Sequence, residues 1–287
     1  MIPGAFDYHR PKTVDEAVGL LASLGDDATV VAGGHSLIPM MKLRLAVPEH
    51  LVDLQDVEAL SFIEVSGGTI RLGAMTTQSE LIASDALNEA CPIIRETALQ
   101  IADPQIRNVG TIGGNAANGD PGNDMPAVLQ ALDAVYELAG PDGARTVAAR
   151  EYYEAAFFTA RQEGEILTAI RIAAPPAGHG AAYIKQKRKI GDYATAAAAV
   201  VLTMDGGTCS SCSIGLTNVA DTPLLAADAA AILTGSTLDD ATLGQAAEAA
   251  KAITSPAVDG RGPAEFRTHV AGVMVERAVK AAAGRTS

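Results

Sequence analysis

Apolar positions along the first fifty or so residues alternate between helical and extended periods. Ala17, Val18, Leu20, Leu21 and Leu24 mark one helical stripe, and Thr13-Val-Asp-Glu16 ahead of them reads as a capping box. Gly25-Asp26-Asp27 ends that helix and passes the chain to a short buried strand, Ala28-Thr-Val-Val-Ala32. Leu37 to Lys42 reads as a short helix and Leu51-Val-Asp53 as the next strand, so residues 1–56 form a small α/β unit. From Ser61 the texture changes. Phe62 to Val65 and Thr69 to Leu72 flank Gly67-Gly68, a hairpin signal. Thr77-Gln-Ser-Glu80 caps a short helix, and Cys91 to Gln100 makes a longer one with Pro92 in its first turn. Ala134 to Leu138 and Ile166 to Ile172 read as further strands of this second unit, residues 57–177. The linker Ala174-Pro-Pro-Ala-Gly-His-Gly180 opens a third unit, residues 178–287. There Tyr183–Lys187, Thr195–Met204 and Cys209–Thr217 suit an antiparallel sheet. An alanine-rich helical tail follows from Ala226, broken by Asp259-Gly-Arg-Gly-Pro263. The whole is an α+β chain.

Two interruptions of this pattern carry candidate chemistry. Asn108 to Asp124 packs glycines, asparagines, a threonine and aspartates between two expected helices. Glycines let a ligand approach the main chain, and asparagine and threonine add side-chain donors. The stretch leads into the helix signal Asp124-Met-Pro-Ala-Val-Leu, whose N-terminal end favours an anion, so a backbone nest for phosphate or pyrophosphate is the expectation. The second interruption, Gly33-Gly34-His35-Ser36, sits between a strand and a short helix, the shape of a phosphate cradle. Neither has the G-x-G-x-x-G of a dinucleotide fold or the G-x-x-x-x-G-K-[ST] of a P-loop. Two such loops suit a ligand with an extended pyrophosphate.

Charge narrows the partners. A net charge of −13 and a sequence pI near 4.7 argue against nucleic acid or an anionic membrane surface. With no basic stripe near either loop, backbone donors must hold an anion, at roughly 1.5–3 kcal/mol for each charge-assisted bond. Cys91, Cys209 and Cys212 form no disulfide framework, and the Cys209-Ser-Ser-Cys212 pair lacks a second pair of ligands for zinc or iron–sulfur. The pair reads as small residues on a strand. His9, His35, His50, His179 and His269 are scattered, and His35 alone falls in a candidate loop. No nucleophile elbow or carboxylate couple stands out, which points to chemistry carried by a cofactor. No signal-peptide pattern or apolar span of about 18 residues is present, so a soluble, cytoplasmic chain is expected.

Ala32-Gly-Gly-His-Ser36 and Thr111-Ile-Gly-Gly-Asn115 resemble the two flavin loops of the FAD-binding subunits of molybdenum hydroxylases. The resemblance covers essentially the whole chain. Runs 102–107, 115–126 and 187–194 are most similar to the branch of that family that oxidises carbon monoxide. The implied fold is the vanillyl-alcohol-oxidase-like (PCMH-type) FAD-binding fold of two α/β subdomains, with a C-terminal sheet and helices.

The resemblance also implies roles for residues. Ala32, Gly33, Gly34, His35 and Ser36, with Thr111, Ile112, Gly113, Gly114 and Asn115, would hold the FAD pyrophosphate through backbone N–H groups. Asp124 would bond a ribose hydroxyl, while Ile101, Ala102, Ile166 and Leu167 would line the flavin. Lys185 would sit near the pyrimidine end, and Tyr193 would cover one ring face. Electrons would arrive from two [2Fe–2S] clusters on a small subunit, fed by a molybdopterin-type molybdenum cofactor on a large subunit. They would leave to a quinone or another acceptor. The implied assembly is a dimer of heterotrimers, cytoplasmic and against the inner face of the membrane. Competing readings are a sister hydroxylase acting on a heterocycle or acyl-CoA, a stand-alone flavin reductase, and a non-enzymatic nucleotide-binding module.

Overall fold

The computed structural model describes residues 2–286. Three sheets organise them, beside a two-stranded ribbon of Tyr153–Ala155 and Phe158–Thr159. The first is parallel: Asp7–His9 and Ala28–Val31 both flank His50–Asp53. The helix Val14–Leu24 packs Ala17 and Leu21 against this sheet, beside Val52 and Leu54. Its cap differs from the expected capping box in one bond. Thr13 Oγ1 accepts from Glu16 N at 3.1 Å, but Glu16 Oε2 takes the N–H of Lys12, at 2.7 Å, rather than that of Thr13.

The second sheet has five strands in the order Ile63–Ser66, Thr69–Gly73, Ile166–Ala173, Val135–Gly140, Gly143–Ala148, all antiparallel. Its first hairpin turns through Gly67 and Gly68, both left-handed at φ 56° and 74°, which a two-residue type I′ turn requires. Thr77 and Glu80 form the full capping box expected of the next helix, Gln78–Ala83. The strands Gly143–Ala148 and Asp7–His9 had no pattern in the sequence. Each is short or half-exposed, so alternation marks it weakly.

The third sheet is antiparallel, in the order Gly180–Gln186, Ala196–Asp205, Thr208–Thr217, Leu224–Leu225. Helices Ala227–Leu233, Asp240–Ala252 and Ala264–Ala283 cover one face. Alanines fill the strand Ala196–Asp205 because backbones approach closely on both faces. On the next strand a side chain at Gly215 would meet Ala127 main chain, 2.8 Å from its carbonyl carbon. That contact brings the helix Met125–Ala131 against the third sheet.

A bulge between Thr203 and Met204 shifts the pairing so that Cys209 and Cys212, three residues apart, both turn toward the helical core. They are free thiols on a strand.

Candidate functional site

The first glycine loop leaves the C-terminal end of the Ala28–Val31 strand and enters the helix Leu37–Lys42. Gly34 is left-handed at φ 72° and starts that helix by accepting from Ile38 N at 2.9 Å. The N–H groups of Gly33, Gly34, His35 and Ser36 meet no protein acceptor among the described residues. This is a row of open donors. Gly33 is glycine for another reason: a side-chain carbon there would stand 2.8 Å from Gly110 Cα. The two loops lie back to back.

The second loop is not the open nest that its composition suggests. Thr111 is extended and N-caps a short helix, Ile112–Ala117, with Oγ1 accepting from Gly114 N at 3.0 Å. Ile112 N donates to Thr76 O and Gly113 N to Ala74 O, each at 2.9 Å, and Asn115 N donates to Thr111 O at 3.0 Å. Four of the five backbone donors expected to hold a pyrophosphate, those of Ile112, Gly113, Gly114 and Asn115, are therefore already engaged, and only the Thr111 N–H meets no acceptor among the described residues. Threonine at an N-cap satisfies a free N–H of the first turn, and Gly113 lets the turn close on Ala74, where a side-chain carbon would lie 2.5 Å from Ala74 Cβ. What the loop still offers, beside the Thr111 N–H, is the Asn115 amide. Its Oδ1 takes Met125 N at 3.2 Å, and its NH2 donates to no acceptor among the described residues.

Both loops open on one cavity of about 1010 Å³. Its walls reach from Gly25 and Glu163 to Ala102 and Gly191. All the residues expected at the site line it except Ile112, whose fully buried side chain belongs to the core beside Ala116. Ala102 is left-handed at φ 41°, a conformation alanine holds only where the surroundings impose it; Gly191 packs against its carbonyl, and a side-chain carbon there would lie 3.2 Å from the oxygen. Tyr193 is half-exposed. Its hydroxyl donates to Asp120 Oδ2 at 3.1 Å, and the Arg261 guanidinium lies 5.5 Å from its ring centroid. Burial of the phenol, then the charge of Asp120, holds its pKa above the ordinary value.

Asp124 precedes the helix Met125–Ala131 but does not cap it; Asn115 does. Its carboxylate instead accepts from Tyr183 Oη at 2.5 Å on one oxygen and from Lys185 Nζ at 2.8 Å on the other. The two ionic side chains are 5% and 1% exposed, so this is a buried pair. Burial pushes the Asp124 carboxyl up, against the opposing pull of Lys185 and then of Tyr183. A carboxylate oxygen accepts more than one bond, so a ligand hydroxyl can still be received.

Sequence reasoning missed Gln78, which also lines the cavity. It is 1% exposed, and neither atom of its amide has a partner among the described residues. Its place at the first position of a helix gives no hint of this, since only the pairing of Gln78 N with Gly110 O brings it beside the second loop. Arg161, Asn118 and Lys189 in the cavity wall were missed as well, for they lie in loops that only the fold brings together. Open N–H groups, free amides and a paired lysine suit an anionic, hydroxyl-bearing ligand, and the volume is at the upper end for a cofactor pocket. FAD fits that set.

Residues 4–175 match the family model described as the FAD binding domain in molybdopterin dehydrogenase. The chain belongs to that family. Residues 181–282 match the CO dehydrogenase flavoprotein C-terminal domain. The carbon monoxide dehydrogenase medium chain of Afipia carboxidovorans is 66% identical over 285 residues, covering 99% of each chain. That of Hydrogenophaga pseudoflava is 48% identical over 285 residues, again with 99% of each covered. In the solved structure of reconstituted CO dehydrogenase from Oligotropha carboxidovorans, one chain superposes with a TM-score of 0.99 at 66% identity, covering 100% of both chains. This chain is thus a flavoprotein-family subunit that resembles the medium chain of carbon monoxide dehydrogenases along its full length.

Proposed function

We propose that this chain is the FAD-carrying medium subunit of an aerobic, molybdenum-dependent carbon monoxide dehydrogenase. The observation that carries the flavin assignment is the row of open N–H groups on Gly33–Ser36, facing the same cavity as the Asp124–Lys185 pair. Full-length likeness at 66% identity supports the carbon monoxide branch over sister hydroxylases. The fold we assign is the vanillyl-alcohol-oxidase-like (PCMH-type) one, its first unit the parallel three-stranded sheet and its second the five-stranded antiparallel sheet.

FAD, when bound, supplies a junction that accepts electrons singly and releases them in pairs. The protein's own residues orient it. The donors of Gly33–Ser36 hold the pyrophosphate, with the Asn115 amide added from the second loop; Asp124 receives a ribose hydroxyl. Ile101, Ala102, Ile166 and Leu167 give the ring an apolar bed, and Tyr193 covers one face and excludes water. Lys185 brings positive charge to the pyrimidine end. Because Asp124 already neutralises that lysine, the field it presents is that of a dipole, weaker than that of a free ammonium.

No group of three His, Cys, Asp or Glu side chains suited to a metal exists among the described residues. Our reading, supported by the full-length likeness to carbon monoxide dehydrogenase medium chains, places two [2Fe–2S] clusters on a small subunit and the molybdenum cofactor on a large one, in a dimer of heterotrimers. Carbon monoxide and water would become carbon dioxide, two protons and two electrons there, and the electron pair would leave through this chain to a quinone. The complex sits in the cytoplasm against the inner face of the membrane. Among the described residues no helix is long and apolar enough to cross a membrane. The test is to purify the protein with its partners, precipitate with acid and identify the released flavin. FAD in the supernatant is expected; FMN or no flavin overturns the reading.

A further inference from the structure

The strand Gly180–Gln186 sends Tyr183 and Lys185 to the same side, two residues apart, and both end on one carboxylate. Lys185 and Asp124 belong to the cavity wall, whereas Tyr183 lies behind it, fully buried in the core with Tyr136 and Ala197. Nothing about catalysis requires a hydroxyl at that depth. A phenylalanine would fill the same volume without the cost of burying an oxygen. The Tyr183 hydroxyl is 2.5 Å from Asp124 Oδ1 and 3.4 Å from Thr217 Oγ1, so its strong bond is to the carboxylate. Lys185 Nζ has a second acceptor, Gln100 O at 3.4 Å. Its direction therefore depends on Asp124, and that of Asp124 on Tyr183.

We propose that Tyr183 is a positioning residue for the flavin site: from behind the wall it holds Asp124 ionised and turned so that the Asp124–Lys185 pair meets bound FAD. This rests on the reading of the cavity as the FAD site. Asp124 is enclosed and burial favours its neutral form, so each donor to it matters. The charged or titratable groups facing it are Lys185 on the strand and Lys187 just past its end, Tyr183 behind, and Tyr193 from the covering loop with its own partner Asp120. Of these, Lys185 and Tyr183 bond it directly. Deleting one of the two raises the pH at which the carboxylate takes up a proton. A protonated Asp124 no longer anchors the lysine. Affinity for FAD is then lost as pH falls, and lost earlier without Tyr183.

The test is FAD dissociation from the purified complex, followed by flavin fluorescence across the mildly acidic to mildly alkaline range. Tyr183→Phe is expected to hold FAD like the wild type at the alkaline end and to lose it on acidification about one pH unit sooner, roughly 5-fold weaker at the wild-type midpoint and approaching about 10-fold below it. Thr217→Val, which touches Tyr183 but not Asp124, is expected to keep the wild-type profile. Asp124→Asn, a mimic of the neutral acid, is expected to bind FAD weakly with a profile flat in pH. Three results overturn the proposal: a Tyr183→Phe profile that superposes on the wild type, one that is weaker by the same factor at every pH, or an Asp124→Asn protein whose pH dependence persists. If Tyr183→Phe fails to fold, pH dependence that persists in Asp124→Asn still overturns the proposal. A wild-type complex that carries no FAD at any pH sinks this proposal together with the flavin reading; a wild type that binds FAD while the variants fail as described sinks this one alone.

Discussion

Gly33 and Gly34 are neighbours that lack side chains for different reasons. At Gly33 a methyl group would collide with the main chain of the second loop, 2.8 Å from Gly110 Cα. At Gly34 there is more room, with Ile38 Cγ1 3.1 Å away, but φ is 72°. Gly33→Ala is expected to destabilise the fold by about 1–3 kcal/mol through overpacking and to lose FAD, because the loops must part. Gly34→Ala should cost only about 1 kcal/mol of backbone strain. Urea midpoints with flavin content check both, and equal losses would remove the distinction. Asp124→Ala leaves the Lys185 ammonium buried without its anion, and a loss of about 3–5 kcal/mol in folding stability is expected. Glu165 supplies a pH test. The Arg145 guanidinium at 2.5 Å, with the N–H of Gln162 at 2.6 Å, holds its carboxyl below the ordinary value of 4.5. Its stability is present above 4.5 and is lost as pH falls through the lowered folded value. Glu165→Gln should therefore flatten the acid limb of the stability curve, as measured by unfolding at a series of pH values; an unchanged slope would count against it.

At the scale of elements, the sequence was informative wherever local chemistry decides the outcome. The Gly67-Gly68 turn, the Thr77–Glu80 box and the strand–glycine–helix passage at residues 28–42 depend on residues close to one another in the chain. The helix Ile112–Ala117 was hidden because glycine and asparagine are poor helix formers, and contacts from Thr76 and Ala74 impose the turn on them. Arg267 is the other element-level surprise. It is 2% exposed in the helix Ala264–Ala283, in an amphipathic pattern that gives no reason to bury a charge. Its guanidinium donates to the carbonyls of Thr195, Ala257 and Asn218, tying the long helix to the loop before it, to the turn after the strand Thr208–Thr217 and to the residue that enters the strand Ala196–Asp205. Burial lowers its pKa, and Asp259 opposes the shift. Arg267→Met is expected to lose about 3–5 kcal/mol, because three carbonyls lose a charged donor. A thermal midpoint within experimental scatter of the wild type would contradict that.

For the whole molecule, the cavity exists because three sheets meet, and each contributes part of its wall. The glycine loops and the α+β class were legible before the fold was known, and the resemblance brought Asp124 and Lys185 to one site; the arrival of Gln78 and Arg161 there, and the bonding of Lys185 and Tyr183 to one carboxylate, were not, since those residues lie far apart in the chain. A ligand that bridges three units should stabilise them jointly. At 100 times its dissociation constant, FAD is expected to add about 2.7 kcal/mol, visible as a higher melting temperature for holoprotein than for flavin-stripped protein. The most direct test of the central claim is the visible spectrum of the complex purified under air, recorded before and after exposure to carbon monoxide. Flavin bands above broad iron–sulfur absorption, bleached by carbon monoxide, are the result this account predicts. Flavin bands that carbon monoxide leaves unchanged, in a complex that another substrate bleaches, would contradict it.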